Sequence, residues 1–69
     1  MSVYQMTGSE LYAAYGNEIP HEDFINLERD DIARRLMDEE GLDEKSAYYA
    51  TDRMLEFANG QVRGGFTSA

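Results

Sequence analysis

Carboxylates dominate the residues of this sequence that could carry chemistry. The 14 Asp and Glu residues include three close groups, which are Asp30 with Asp31, Asp38 with Glu39 and Glu40, and Asp43 with Glu44. Clustered carboxylates can hold a metal ion or share acid and base roles. A calcium loop, however, needs ligands at alternate positions, a glycine at the sixth and a glutamate at the twelfth, and residues 38–44 lack that order. The spacing therefore predicts a solvated acidic surface without a metal site.

His21 is the only histidine, and cysteine is absent, which excludes a structural zinc site built from Cys and His. A nucleophilic hydroxyl needs a base that a third group orients, and the sequence offers His21 no defined orienting partner. Gly64 and Gly65 follow no predicted strand and precede no predicted helix, so a phosphate-binding loop is not indicated. We therefore predict a protein that is not an enzyme and binds no cofactor.

The charge balance restricts the class of partner. The 6 basic residues leave a formal net charge of −8. Affinity for nucleic acid comes largely from Lys and Arg that displace counterions, so direct binding to DNA, RNA or an anionic membrane is disfavoured. No signal-peptide pattern and no apolar segment of about 18 residues is present, which predicts a cytoplasmic protein.

The clearest helix signal lies near the N-terminus. Thr7 and Glu10 have the S/T-x-x-E spacing of a capping box, in which each side chain accepts a hydrogen bond from the other residue's backbone. A helix is predicted from Gly8 to about Tyr15, ended by Gly16 in the left-handed conformation.

Residues 20–40 allow two interpretations. Pro20 fits the first position of a helix. Four later apolar residues share one helical face; these are Ile32, Ala33, Leu36 and Met37. Because Leu27 lies off that face, either one helix runs from Pro20, or a short turn of helix precedes a new start near Asn26 or Leu27. Gly41 is predicted to end the helix.

The last predicted helix runs from Glu44 to about Ala58, with Asp43 as its N-cap. Its apolar face covers more than half the circumference, so it either lies centrally or contacts another molecule. Asn59 and Gly60 are predicted to end it, and residues 61–69 to form a flexible tail. The expected fold is all-α, a bundle of three or four short helices in a single domain over residues 1–60.

The helices that meet at Gly41 have the outline of a helix-turn-helix. A recognition helix needs donors that reach bases and phosphates, whereas this one opens with Asp43, Glu44 and Lys45. Direct reading of DNA is therefore not predicted.

The predicted partner-binding residues surround Gly41 and include one tyrosine expected to point away from the apolar face. They are Asp38, Glu39, Glu40, Asp43, Glu44 and Tyr49. Tyr4 is a second candidate contact, and Arg34 and Arg35 are expected to pair with Asp30 and Asp31 at i,i+4 spacing.

Two functional hypotheses follow. The first is an acidic interaction module that binds, and by binding inhibits, a protein with a basic, nucleic-acid-binding surface, as DNA mimics of phage and plasmid origin do. The second is a structural subunit, a homodimer through helix 44–58.

Overall fold

The computed structural model describes residues 2–16 and 18–67, with side chains as far as Arg63. The predicted all-α fold is confirmed, and no strand occurs within these residues. A turn of 3₁₀ helix (Val3–Gln5) precedes four α-helices: α1 (Gly8–Tyr15), α2 (His21–Phe24), α3 (Arg29–Glu40) and α4 (Glu44–Thr67). Of the two interpretations of residues 20–40, the one with two helices is therefore right.

The beginning of α1 follows its sequence signal closely. The backbone N–H of Glu10 donates to the Thr7 hydroxyl at 3.1 Å, and that of Thr7 donates to the Glu10 carboxylate at 2.8 Å. The helix ends at Tyr15 as predicted, but the predicted left-handed Gly16 is wrong. Gly16 has a φ of −75°, and the left-handed residue is Glu18. A side chain at position 16 is excluded for another reason, since its Cβ would lie 2.5 Å from the Tyr12 carbonyl oxygen.

α2 and α3 are separated by a short turn. Pro20 precedes α2 as its N-cap instead of occupying the first helical position. α3 begins at Arg29, slightly later than the predicted restart, and ends where expected at Gly41, whose φ of 72° is left-handed. The backbone N–H groups of Gly41 and Leu42 both donate to the Leu36 carbonyl, which satisfies a carbonyl at the end of the helix.

The predicted end of the last helix near Ala58 is wrong. α4 continues through Asn59 and Gly60 to Thr67. A glycine inside a helix costs only about 1 kcal/mol, and each added residue extends a helix that packing has already nucleated. Ser68 and Ala69 lie outside the described residues, as do the side chains from Gly64 onward, and the flexibility of residues 61–69 stays a prediction.

α4 is the central element of the fold. The 3₁₀ turn, α1, α2 and α3 all pack against it. Its inward face is fully buried and consists mainly of small residues, which are Ala47, Ala50, Thr51, Met54 and Ala58. The Thr51 hydroxyl donates to the Ala47 carbonyl at 2.7 Å, so this buried polar group is satisfied. Much of the broad apolar face is thus used within the chain, and the homodimer through this helix stays a prediction.

Two glycines are expected to respond oppositely to alanine. At Gly8, where α1 crosses α4, a Cβ would lie 2.9 Å from the Arg53 carbonyl oxygen, so Gly8→Ala should destabilise the fold by about 1–3 kcal/mol. At Gly60 nothing lies within 4 Å. Gly60→Ala should therefore stabilise the chain by roughly 0.5–1 kcal/mol, because Gly60 lies inside α4. Urea unfolding measures both, and an unchanged midpoint for Gly60→Ala would contradict the extension of α4.

Candidate functional site

Five exposed carboxylates lie on the short segment where α3 ends and α4 begins. We call this group the acidic corner, and its members are Asp38, Glu39, Glu40, Asp43 and Glu44. The left-handed Gly41 ends α3 and changes the direction of the chain. Leu42, in the segment between α3 and α4, is half-buried and packs against the core. The structure therefore places five of the six predicted site residues at the end of α3 and the start of α4.

The ion pairs of the described residues lie elsewhere. They join Arg29 to Asp52 at 2.6 Å, Arg53 to Glu56 at 2.9 Å and Arg34 to Asp31 at 4.0 Å. Among residues 2–16 and 18–63, whose side chains are defined, no basic group pairs with a carboxylate of the acidic corner. The corner therefore presents a surplus of negative charge to solvent, since Lys45 is the one basic residue among residues 38–45.

Helix dipoles divide the acidic corner into two parts. Asp43 and Glu44 lie at the start of α4, where negative charge stabilises a helix. Asp38, Glu39 and Glu40 lie in the last turn of α3, which contains no basic residue. Carboxylates there face the negative end of the dipole, and each is unfavourable by roughly 0.3–1 kcal/mol at low ionic strength. The helix dipoles therefore favour the α4 pair and disfavour the α3 triplet.

Asp43 acts as the predicted cap of α4. A hydrogen bond from the Ser46 side chain, assisted by backbone donors, holds the pKa of Asp43 below its ordinary value of 3.8, while burial opposes the shift. A depressed carboxyl pKa stabilises the fold above the unfolded-state value, and this contribution is lost as the pH falls through the folded-state value.

Removal of the Ser46 hydroxyl tests this cap. Ser46→Ala should raise the pKa of Asp43 toward its ordinary value, because the largest cause of the depression is lost. A carboxyl titration followed by NMR measures the midpoint. An unchanged midpoint would show that the Ser46 side chain does not hold Asp43.

Tyr49 differs from its prediction. It was expected to point away from the apolar face, but its side chain is half-buried and packs against the core. Its ring lies 4.7 Å from that of Tyr4, which is 47% exposed. Tyr4 therefore covers part of Tyr49 and is the more accessible aromatic side chain of the two.

A polar network that the sequence did not reveal joins α3 to α4. Arg29 donates to both carboxylate oxygens of Asp52, at 2.6 and 3.1 Å, and its guanidinium lies 4.6 Å from the centre of the Tyr48 ring. The Tyr48 hydroxyl donates to Asp30 at 2.9 Å, and this bond is the largest cause that raises the pKa of Tyr48.

The predicted i,i+4 pairs of Arg34 and Arg35 with Asp30 and Asp31 do not form among the described residues. Arg34 pairs with Asp31 at i,i+3 spacing instead. Asp30 instead accepts the hydrogen bond from Tyr48, and the polar network of Arg29 and Tyr48 links the start of α3 to α4.

The residues considered for catalysis have packing roles. The half-buried His21 ring lies 4.8 Å from the ring of Tyr12 and 5.6 Å from that of Phe57. Tyr12 in turn donates its hydroxyl to the Ile19 carbonyl, and burial, followed by the charge of Asp23, raises the pKa of Tyr12. In the described part of the chain, no three His, Asp or Glu side chains are grouped so that they could hold a metal ion.

None of the described helices combines the length and the apolar character that crossing a membrane requires. Comparison of the chain with protein-family models, with curated proteins and with solved structures finds no match. A functional proposal therefore depends on the acidic corner and its surroundings.

Proposed function

We propose that this chain is an acidic interaction module that binds a partner protein through the partner's basic surface and thereby blocks that surface. One observation carries the proposal. Asp38, Glu39 and Glu40 are exposed, take part in no ion pair among the described residues, and lie at the helix end that disfavours them. Departures from local stability rules are concentrated at functional sites, and these three residues form such a departure.

The charge of the whole chain supports the same partner class. A net charge of −8 on 69 residues attracts a basic surface over a distance and raises the rate of encounter. The exposed carboxylates at the end of α3 and the start of α4 carry the same sign of charge as nucleic-acid phosphates and, like them, accept hydrogen bonds. A partner that uses Lys and Arg to bind phosphates would therefore be occupied and inhibited by the acidic corner.

The salt dependence of binding tests the proposal. The probe is a lysine-rich helical peptide, and its control has glutamine in place of lysine. Affinity for the lysine peptide should fall by at least about 10-fold between roughly 0.1 M and 1 M salt, because the Debye length shortens from about 10 Å to 3 Å. Calorimetry or fluorescence anisotropy measures the affinity. Equal binding of both peptides, or an affinity independent of salt, would overturn the proposal.

A further inference from the structure

A small apolar cleft opens on the side of α3 next to the acidic corner. Its wall combines the end of α1, the segment between α1 and α2, α2 itself, the following turn and α3. Its main apolar residues are Tyr15, Ile19, Phe24, Leu27, Ile32 and Leu36. Asp31 and Arg35 complete the lining. Phe24 and Leu36 are almost fully buried, whereas Leu27 is 40% exposed, so the cleft has a packed floor and an accessible rim.

The size of the cleft limits its occupant. Its volume is about 50 Å³, several times the roughly 10–15 Å³ that one water molecule requires. Sites for drug-sized ligands are larger, at about 300–1,000 Å³. The cleft therefore suits the end of one short aliphatic side chain.

The position of the cleft connects it to the acidic corner. Asp31, Arg35 and Glu39 stand at i, i+4 and i+8 and form one row along α3. Asp31 and Arg35 line the cleft, and Glu39 belongs to the acidic corner, one helical turn farther on. A single partner segment can therefore reach both the apolar cleft and the carboxylates.

The cleft could receive a side chain from a second copy of this chain or from a basic partner protein, and charge distinguishes the two. A second copy of this chain would bring another net charge of −8 against the first, and like charges brought together oppose association. A segment rich in Lys and Arg is attracted to the acidic corner, while Asp31 and Arg35 in the cleft lining carry opposite charges. The complementarity of charge favours the basic partner.

We propose that the cleft receives one aliphatic side chain of the basic partner while neighbouring Lys or Arg side chains contact the acidic corner. This inference rests on the proposed function and adds a specificity element to it. Charge alone attracts any basic surface, whereas an apolar cleft distinguishes partners that carry an aliphatic residue among their basic residues.

Two lysine-rich helical peptides, identical except for a central leucine or serine, test the inference. The leucine peptide should bind this chain on the order of 10-fold more tightly, because its side chain is removed from water in the cleft. Leu27→Ser, which makes the rim polar, should reduce that preference to less than about 3-fold. Val62→Ser is the matched control, since Val62 is 38% exposed but does not line the cleft. The control should keep the full preference.

The outcomes separate this inference from the proposed function. Salt-dependent binding of both peptides with equal affinity would overturn the cleft as a docking site and leave the acidic module intact. Absence of binding by both would overturn both proposals, and self-association of the chain in sedimentation, abolished by Leu27→Ser, would assign the cleft to a second copy. Methyl NMR signals of Ile19 and Ile32 should shift with the leucine peptide only, and circular dichroism confirms that the variants fold.

Discussion

Replacement of Asp38, Glu39 and Glu40 together by lysine is expected to weaken binding to the lysine-rich peptide by at least about 100-fold and to raise the thermal unfolding midpoint. Binding is lost because like charges then face each other, which costs several kcal/mol, and about 1.4 kcal/mol corresponds to a factor of ten. Anisotropy measures the affinity, and calorimetry measures the midpoint.

The expected gain in stability has three terms. Three cations in the last turn of α3 interact favourably with the helix dipole, by roughly 0.3–1 kcal/mol each. The net charge changes from −8 to −2, since each reversal adds two charges, and self-repulsion decreases. Arg34 and Arg35 stand at i,i+4 spacing to Asp38 and Glu39, so the reversal replaces two attractions by two repulsions and opposes the gain by about 0.4–1 kcal/mol for each pair. The net effect should be a rise of a few degrees.

A control of equal charge reverses Glu18, Glu22 and Asp23, which are exposed and lie before or in the first turn of α2. It reaches the same net charge of −2 but leaves the acidic corner intact. Its affinity should fall by less than about 10-fold, and its stability should decrease, because negative charge favours a helix start. Equal weakening by the two triple variants would mean that binding follows total charge and does not use the corner.

The parts of the fold that could be predicted are those whose causes lie within a few residues. The capping box of Thr7 and Glu10 acts over three residues, and the left-handed Gly41 needs only its own missing side chain. Both marked their helix ends correctly. The acidic corner could be found for the same reason, since residues 38–44 are consecutive and their carboxylates remain at the surface.

The parts that could not be predicted depend on contacts between distant residues. Arg29 and Asp52 are 23 residues apart, and no local pattern links them. Val3, in the 3₁₀ turn, is 5% exposed, yet a turn of three residues shows no periodicity. Gly60 is a residue type that commonly ends helices. The packing of the preceding turns of α4 against the other helices outweighs the low helix propensity of this glycine.

The cleft was missed because it is a product of tertiary structure. It brings Tyr15 and Ile19 from one part of the chain against Ile32 and Leu36 on α3, with Phe24 between them. In the sequence, Leu27 is apparent only as an apolar residue that lies off the face of the following helix. The structure explains why Leu27 lies off that face, because this side chain forms part of the rim of the cleft.

Replacement of Phe24 by alanine should be the most destabilising of the changes considered, with a loss of about 3–5 kcal/mol. Phe24 is 2% exposed and is the buried residue of α2, and its ring lies 4.9 Å from that of Tyr12. A helix of four residues cannot form without tertiary contacts, so α2 depends on this side chain. Because a chain of this length has a total stability of roughly 3–10 kcal/mol, much of the variant should be unfolded.

Urea unfolding followed by circular dichroism measures the loss, and Leu27→Ala is the matched control. Leu27 lies three residues farther along and is 40% exposed, so its truncation should cost less than about 1 kcal/mol. A loss for Phe24→Ala as small as that of the control would contradict the packing of α2.

Phe24 also forms part of the cleft. Its loss should therefore abolish the preference for the leucine peptide even at low temperature, where the folded population is largest, while the salt-dependent attraction of the acidic corner remains.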